Sequence, residues 1–222
     1  MDENKFELFA DEILKLHQSF SDNWKETSNS KLINLKKATV HNMLNGKMFN
    51  KEFLEIVDEY HILLNRQFSN LSEIQYDFEN EIWEIRTRVK QKDSIINKLF
   101  HYSKNQAGEG YPLNKCLNDV MGYRLMIDGI DIMSHETQDL CRRVASKDGL
   151  RSYYQNKDGY KGIHFYFNNN NNFNFPWELQ VWAKDNEVEN ERLHSDHKAK
   201  RSYISWPNDY NNSKANERVK GL

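Results

Sequence analysis

Gly159-Tyr160-Lys161-Gly162-Ile163-His164 lies ahead of an asparagine tract, and Trp177-Glu178-Leu179-Gln180-Val181-Trp182 follows it. Strand side chains alternate faces. Glu178, Gln180 and Trp182 therefore project one way, and Trp177, Leu179 and Val181 the other. A carboxylate in the middle of an otherwise apolar strand is costly to bury without a partner or a task. Residues 163–167 and 177–183 read as a hairpin around Asn168 to Asn172, a solvated turn because Asn tolerates turn geometry. With the Gly-Tyr turn and its histidine in front, the pair reads as an active-site wall.

Upstream, Ile85, Thr87 and Val89 alternate with Arg86, Arg88 and Lys90, which predicts a strand with a basic face. A short helix starts at Asp93. A loop holding Gly108 and Gly110 leads to a second short helix ending near Asp119. Residues 123–127 read as a strand, 131–147 as a helix, 152–155 as an extended segment and 186–201 as a charged closing helix. Nearer the start, Phe6, Phe9, Ile13, Leu16, Phe20 and Trp24 form an apolar helical stripe. Leu32, Leu35, Val40, Met43 and Leu44 form a second stripe ending near Gly46, and a third helix is expected over about 51–69. Strands alternating with helices predict an α+β (α/β) fold with a mixed sheet of about five strands flanked by helices. The expected divisions are an N-terminal helical region over 1–78, packed on a second domain over 79–205, and a polar tail over 206–222.

The chain of 222 residues is 38% hydrophobic and 29% charged, with a formal net charge of -2. A nucleic-acid partner must then be held by a local basic patch rather than by overall charge. No apolar run is long enough to span a bilayer, and Met1 to Lys5 lacks a signal-peptide core. Cys116 and Cys141 are too few and too far apart for a disulfide scaffold or a zinc site. A cytoplasmic protein is expected.

Arg88 and Lys90 share a strand face, and Ser94 and Lys98 share a helix face one turn apart. Such groups converge into a polyphosphate cradle, although a solvated basic strand edge reads equally well in isolation. Asp119 at a strand entrance suits Mg²⁺, and Arg124 five residues on suits a purine face. Taken alone, these two are more simply a helix-end residue and a surface arginine. Lys31, Lys36, Lys37, Lys47 and Lys51, with His41, occupy a segment without acids until Glu52, which reads either as an RNA backbone patch or as a solvated helix face.

In this order and spacing, four short motifs over roughly residues 80–200 resemble the RelA/SpoT-type nucleotide pyrophosphokinase domain in its small stand-alone form. They are Thr87-Arg88-Val89-Lys90 with Ser94-Ile95 and Lys98; Asp119 with Gly122 and Arg124; Gly159-Tyr160 with His164; and Glu178 with Gln180. Arg192-Leu193-His194 sits in the closing helix. The chain departs from the family pattern at His101 and Trp182, where arginines are usual, and at Lys161-Gly162 in the turn. ATP-side positions match more closely than acceptor-side ones.

The resemblance implies a Mg²⁺-dependent enzyme over 79–205 that moves pyrophosphate from ATP to a ribose 3′-hydroxyl. Arg88 and Arg124 would sandwich adenine, and Lys90, Ser94 and Lys98 would bind phosphates. Asp119 would hold the metal, with Glu178 helping it or acting as base. Tyr160 would stack on the acceptor base, with Lys157, His164 and Gln180 on the acceptor side. The short tail after His194 and the extra N-terminal helices resemble the toxic small alarmone synthetases of toxin–antitoxin systems. The implied acceptor is therefore the 3′-CCA end of tRNA, with Lys36, Lys37, Lys47 and Lys51 as RNA contacts. An antitoxin protein is the implied partner, and a monomer or antitoxin complex is expected rather than the housekeeping tetramer. The alternatives are (p)ppGpp synthesis from GDP or GTP, and a catalytically silent nucleotide- or RNA-binding module. A hydrolase is not expected, because the N-terminal region has no paired His-Asp metal motif.

Overall fold

The computed structural model describes residues 1–28, 30–46, 48–104, 110–147 and 149–200, with side chains described as far as residue 196. Helix α1 (Glu3–Thr27) starts where the Asp2 side chain accepts a hydrogen bond from the Lys5 amide, and ends at Ser28, whose backbone turns extended. Its apolar stripe is buried as expected, with Phe6, Phe9, Ile13, Phe20 and Trp24 at 0–2% exposure. Each such side chain contributes about 1.5–3 kcal/mol relative to exposure.

The second apolar stripe is not an α-helix. Its residues instead form turns, a 3-10 turn at His41–Met43 and a small ribbon, β1 (Leu44–Asn45) with β2 (Met48–Phe49). Asparagine chemistry supplies the reason. The side-chain carbonyl of Asn34 accepts from the Lys37 amide, and that of Asn42 accepts from the Thr39 amide and hydroxyl. Such local bonds compete with helical ones. Two of the apolar residues are buried all the same: Leu35 donates its amide to Asn172 O and Val40 to Tyr111 O.

Helix α2 (Lys51–Ser72), capped by Asn50, runs into the short α3 (Ile74–Phe78). Next along the chain are β3 (Trp83–Val89), α4 (Lys92–Lys104), α5 (Leu113–Cys116), β4 (Met121–Ile127), α6 (His135–Lys147), β5 (Arg151–Lys157), β6 (Tyr160–Phe167), β7 (Trp177–Ala183) and α7 (Glu187–Lys200). The five-stranded sheet has order β3-β4-β7-β6-β5, with β4 and β7 parallel and the other pairs antiparallel. The fold is the expected α+β class with a mixed sheet flanked by helices.

One face of the sheet, carrying Ile85, Tyr123, Leu125, Phe165, Trp177, Leu179 and Val181, shares a single apolar core with α1, α2 and α6. Phe6 and Phe9 pack edge-on to Trp83, while Phe20 and Tyr60 meet beside Trp177. The N-terminal helices thus form one wall of the core that supports the sheet. The opposite face is free to be polar. No described helix is long and apolar enough to cross a membrane.

Candidate active site

Strand register writes polar rows across the second face. One row runs Arg88, Gly122, Glu178, Tyr166 and Arg151; the next runs Arg86, Arg124, Gln180, His164 and Tyr153. The alternation read for β7 therefore holds, but both of its faces are buried: Glu178 is 6% exposed, Gln180 5% and Trp182 0%. A carboxylate at that depth must be satisfied.

Glu178 is satisfied by three chains of donors. Trp182 Nε1 donates to the Tyr160 hydroxyl at 3.0 Å, which leaves that hydroxyl to donate to His164 Nε2 at 2.9 Å. His164 then carries its proton on Nδ1 and donates it to Glu178 Oε1 at 2.9 Å. Tyr166 donates to the same oxygen at 2.8 Å, so the contact between the Tyr153 and Tyr166 hydroxyls at 2.9 Å runs from Tyr153. Gln180 donates its Nε2 to Glu178 Oε2 at 2.8 Å, its orientation fixed by Arg124, which donates Nε and Nη2 to Gln180 Oε1 at 3.3 and 3.2 Å. Burial works to raise the Glu178 pKa, but the bonds from His164 and Tyr166 hold it below the ordinary carboxylate value. A carboxylate has about four lone-pair sites; with these three donors seated, one on Oε2 is left to accept from a further hydroxyl.

At the sheet end where β3 stops and β4 and β7 begin, Asp119 pairs with Lys90 and, at 3.0 Å, with Lys98. The three side chains are only 12–16% exposed. Lys98 also donates to Asn118 Oδ1 at 2.9 Å. Burial alone would raise the Asp119 carboxyl; the two ammonium groups outweigh it and hold the pKa well below the carboxylate range. Burial pulls Lys90 down, whereas Asp119 overrides burial at Lys98 and pulls it up. Ser94 is half-buried one turn before Lys98 on α4, and Arg88 is exposed on the Gly122 row with no ion pair among the described residues. Of the four residues expected in the cradle, Lys90 and Lys98 meet at Asp119.

Around Tyr160 the arrangement differs from the expected one. The β5–β6 turn is Asp158-Gly159, with φ of 55° and 94°, the positive pair that a two-residue hairpin turn requires. Tyr160 is therefore the first residue of β6 and not part of the turn. Its ring is 7% exposed and packs against Trp182 and His194 beneath α7. Trp182, where the resemblance leads one to expect an arginine, lies under the Arg124 guanidinium at 3.6 Å. Gly162 makes room for it, since a Cβ there would fall 2.8 Å from the Tyr160 hydroxyl and 3.1 Å from the Trp182 ring. Lys157 is exposed at the end of β5. Lys36 and Lys37 are exposed on a turn instead of a helix, Lys51 is exposed and pairs with Glu55, and Lys47 lies outside the described residues, as does the 206–222 tail.

Sequence reasoning missed Tyr153, Tyr166 and Glu191. Tyr166 was within reach, because it lies two residues past His164 and so shares its face. Tyr153 needed the β5–β6 register. Glu191 pairs with Arg124 from α7, a contact that depends on how the helix crosses the sheet.

No protein-family model and no curated protein sequence matches the chain. Among solved structures it is similar to the small alarmone synthetase 1 from Bacillus subtilis, with 16% identity, 78% of this chain and 100% of that chain covered, and a TM-score of 0.41. The same protein bound to its product pppGpp gives 17%, 78%, 93% and 0.42. The small alarmone synthetase 2 from Bacillus subtilis gives 17%, 78%, 98% and 0.36.

Proposed function

We propose that the chain is a Mg²⁺-dependent pyrophosphokinase that transfers pyrophosphate from ATP to a ribose 3′-hydroxyl, and that its acceptor is the 3′-CCA end of tRNA. The biological setting would be a translation-inhibiting toxin held in check by an antitoxin protein. The observation that supports this reading most is Glu178: a buried, low-pKa carboxylate with one acceptor site left, on a face lined by Arg88, Arg124, Lys90 and Lys98.

In this reading the 3′-oxygen attacks the β-phosphorus, the bond from that phosphorus to the α,β-bridging oxygen breaks, and AMP leaves. The hydroxyl proton passes to Glu178 Oε2. Arg88 and Arg124 hold adenine; Lys90, Lys98 and Ser94 hold phosphate oxygens. Among the described residues no cluster of three or more acidic, His or Cys groups makes a metal cage. Mg²⁺ in phosphoryl-transfer sites takes one or two carboxylates plus substrate phosphates, so Asp119 fits a metal that arrives with the nucleotide, while the one site left on Glu178 is taken by the hydroxyl. When bound, the ion supplies charge neutralisation on the transferring phosphates. Phosphate oxygens compete with Asp119 for Lys90 and Lys98 and so release the carboxylate.

A tRNA acceptor is favoured by the placement of Lys36 and Lys37. Their turn is docked on α5, through Leu113 N to Ala38 O and Asn114 N to Leu35 O, and α5 leads directly into Asn118 and Asp119. The deciding experiment supplies γ-labelled ATP with bulk tRNA, GDP or GTP in separate reactions. Label on tRNA is expected. Label on GDP or GTP with tRNA untouched would make the chain a (p)ppGpp synthetase, and no transfer to any acceptor would leave a silent nucleotide-binding module.

A further inference from the structure

Tyr153 is 47% exposed on the polar face, where Tyr160 is 7% exposed. Its ring lies parallel to His164, with centroids 5.2 Å apart and planes 5° apart, and near-parallel to Tyr166 at 5.8 Å and 22°. Its hydroxyl is tied to that of Tyr166 at 2.9 Å. Two rings and a hydrogen bond thus fix it from within, while its remaining surface faces solvent at the edge strand β5. A ring already held in place loses little conformational freedom when a ligand stacks on it.

Its position also bears on the chemistry. Tyr153 sits directly opposite His164, and its hydroxyl is two hydrogen bonds from Glu178 Oε1 by way of Tyr166. Neighbouring strands lie about 4.8 Å apart, so side chains of β5 stand roughly 10 Å from those of β7. On the polar face between them stand His164 and Tyr166 of β6, which tie Tyr153 to Glu178. Every nucleobase has a face that stacks on an aromatic ring. Tyr160 offers none, since Trp182, His164, His194 and Leu193 surround it.

We propose that Tyr153, and not Tyr160, is the stacking station for the acceptor nucleobase. Tyr160 is a buried strut that aligns His164. The proposal rests on the pyrophosphate-transfer reading for the identity of its ligand. The chemistry it recognises is a nucleobase on a ribose with an open 3′-hydroxyl, whether in a free nucleotide or at an RNA 3′ end.

The test uses two fluorescent probes, 2-aminopurine riboside 5′-diphosphate and a short oligoribonucleotide ending in 2-aminopurine, titrated into the full chain without ATP. Stacking should quench at least one probe, the oligonucleotide if RNA is the acceptor and the diphosphate if a free nucleotide is. Tyr153→Ala should weaken binding of that probe by about 5- to 150-fold and relieve the quenching, while Tyr153→Phe should retain both. Binding and quenching unchanged in Tyr153→Ala, or no quenching of either probe by the wild-type chain, would overturn the proposal. Because this readout needs no turnover, it separates from the reading beneath it. Quenching lost in Tyr153→Ala alongside no label transfer in any assay would uphold the stacking station and reject the transferase.

Discussion

Replacing Glu178 by glutamine keeps its shape and removes its charge, and the surrounding hydrogen bonds set the cost. All three groups at the carboxylate are donors: His164 Nδ1 and Tyr166 Oη at Oε1, and Gln180 Nε2 at Oε2. An amide has one oxygen to offer. If that oxygen takes the Oε1 position, the new NH₂ faces the Gln180 NH₂ across 2.8 Å. Gln180 cannot resolve the conflict by turning over, because its own oxygen accepts from Arg124, whose guanidinium has only donors. Turning the new amide instead sets its NH₂ against His164 and Tyr166.

At least one buried donor therefore goes unpaired, which costs about 1–3 kcal/mol. The same substitution removes the proposed proton acceptor, a loss of about 10²–10⁴ in transfer rate. Urea unfolding of wild type, Glu178→Gln, Gln180→Leu and the double variant checks the first part. The glutamine substitution should cost markedly less in the Gln180→Leu background, where the opposing donor is absent. Equal cost in both backgrounds would refute the donor-chain account, and near-normal label transfer by Glu178→Gln would remove the base assignment.

Arg124→Lys keeps the charge and loses the plane that lies on Trp182 and spans Gln180; ATP affinity by titration should fall about tenfold, and an unchanged affinity would make the arginine structural. Lys36→Glu/Lys37→Glu should weaken labelling of tRNA and flatten its salt dependence while leaving ATP binding intact; wild-type labelling by the pair would make this turn a merely solvated one. His17 is buried against Trp177, with Nε2 on Phe175 O, and burial pushes its pKa down from 6.5 to about 4. The unfolded chain then binds the proton that the folded chain refuses, so stability is full above pH 6.5 and declines by roughly 3 kcal/mol as pH falls to 4. Unfolding free energies from urea at pH 7 and pH 4.5 should converge in His17→Gln by roughly 2.5 kcal/mol, and equal pH dependence in the two proteins would contradict the assignment.

Where each residue's physics is local, the sequence was readable. The β7 alternation and the basic face of β3 come from a period of two, and α1 from its stripe and the Asp2 cap. The stripe from Leu32 to Leu44 misled because burial does not require a helix: Leu35 and Val40 reach the core from turns held by Asn34 and Asn42. Tyr160 was misplaced by one structural step, since the turn needs two positive φ angles and Asp158-Gly159 supplies them. What sequence could not give is register. Tyr153 meets His164, and Tyr166 meets Glu178, only because β5, β6 and β7 are aligned as they are. The polar residues of the site were visible one by one; their hydrogen-bond order was not.

Helix α7 adds a further consequence of that order. Read from sequence it is a charged closing helix, and in the structure its first turns face the cationic half of the sheet. Glu187 bonds Arg86 at 2.5 Å, and Glu191 pairs with Arg124 and approaches Arg86 at 3.7 Å. Asn190, fully buried, clasps the Lys161 backbone through both its oxygen and its nitrogen, while Leu193 and His194 cover Tyr160 and Trp182. Burial, with Arg124 and Arg88 close by, pushes His194 down to about 4, which keeps a further positive charge away from this face at neutral pH. Arg124 is thus already paired with Glu191, and Lys90 and Lys98 share the single carboxylate of Asp119. Assembling many like charges on one sheet face is tolerable only with such counter-charges. It also sets terms for the phosphate contacts proposed for Lys90 and Lys98: these would come by exchanging the Asp119 carboxylate for phosphate oxygens, so their contribution would reflect the difference between the two partners rather than the sum of new ion pairs.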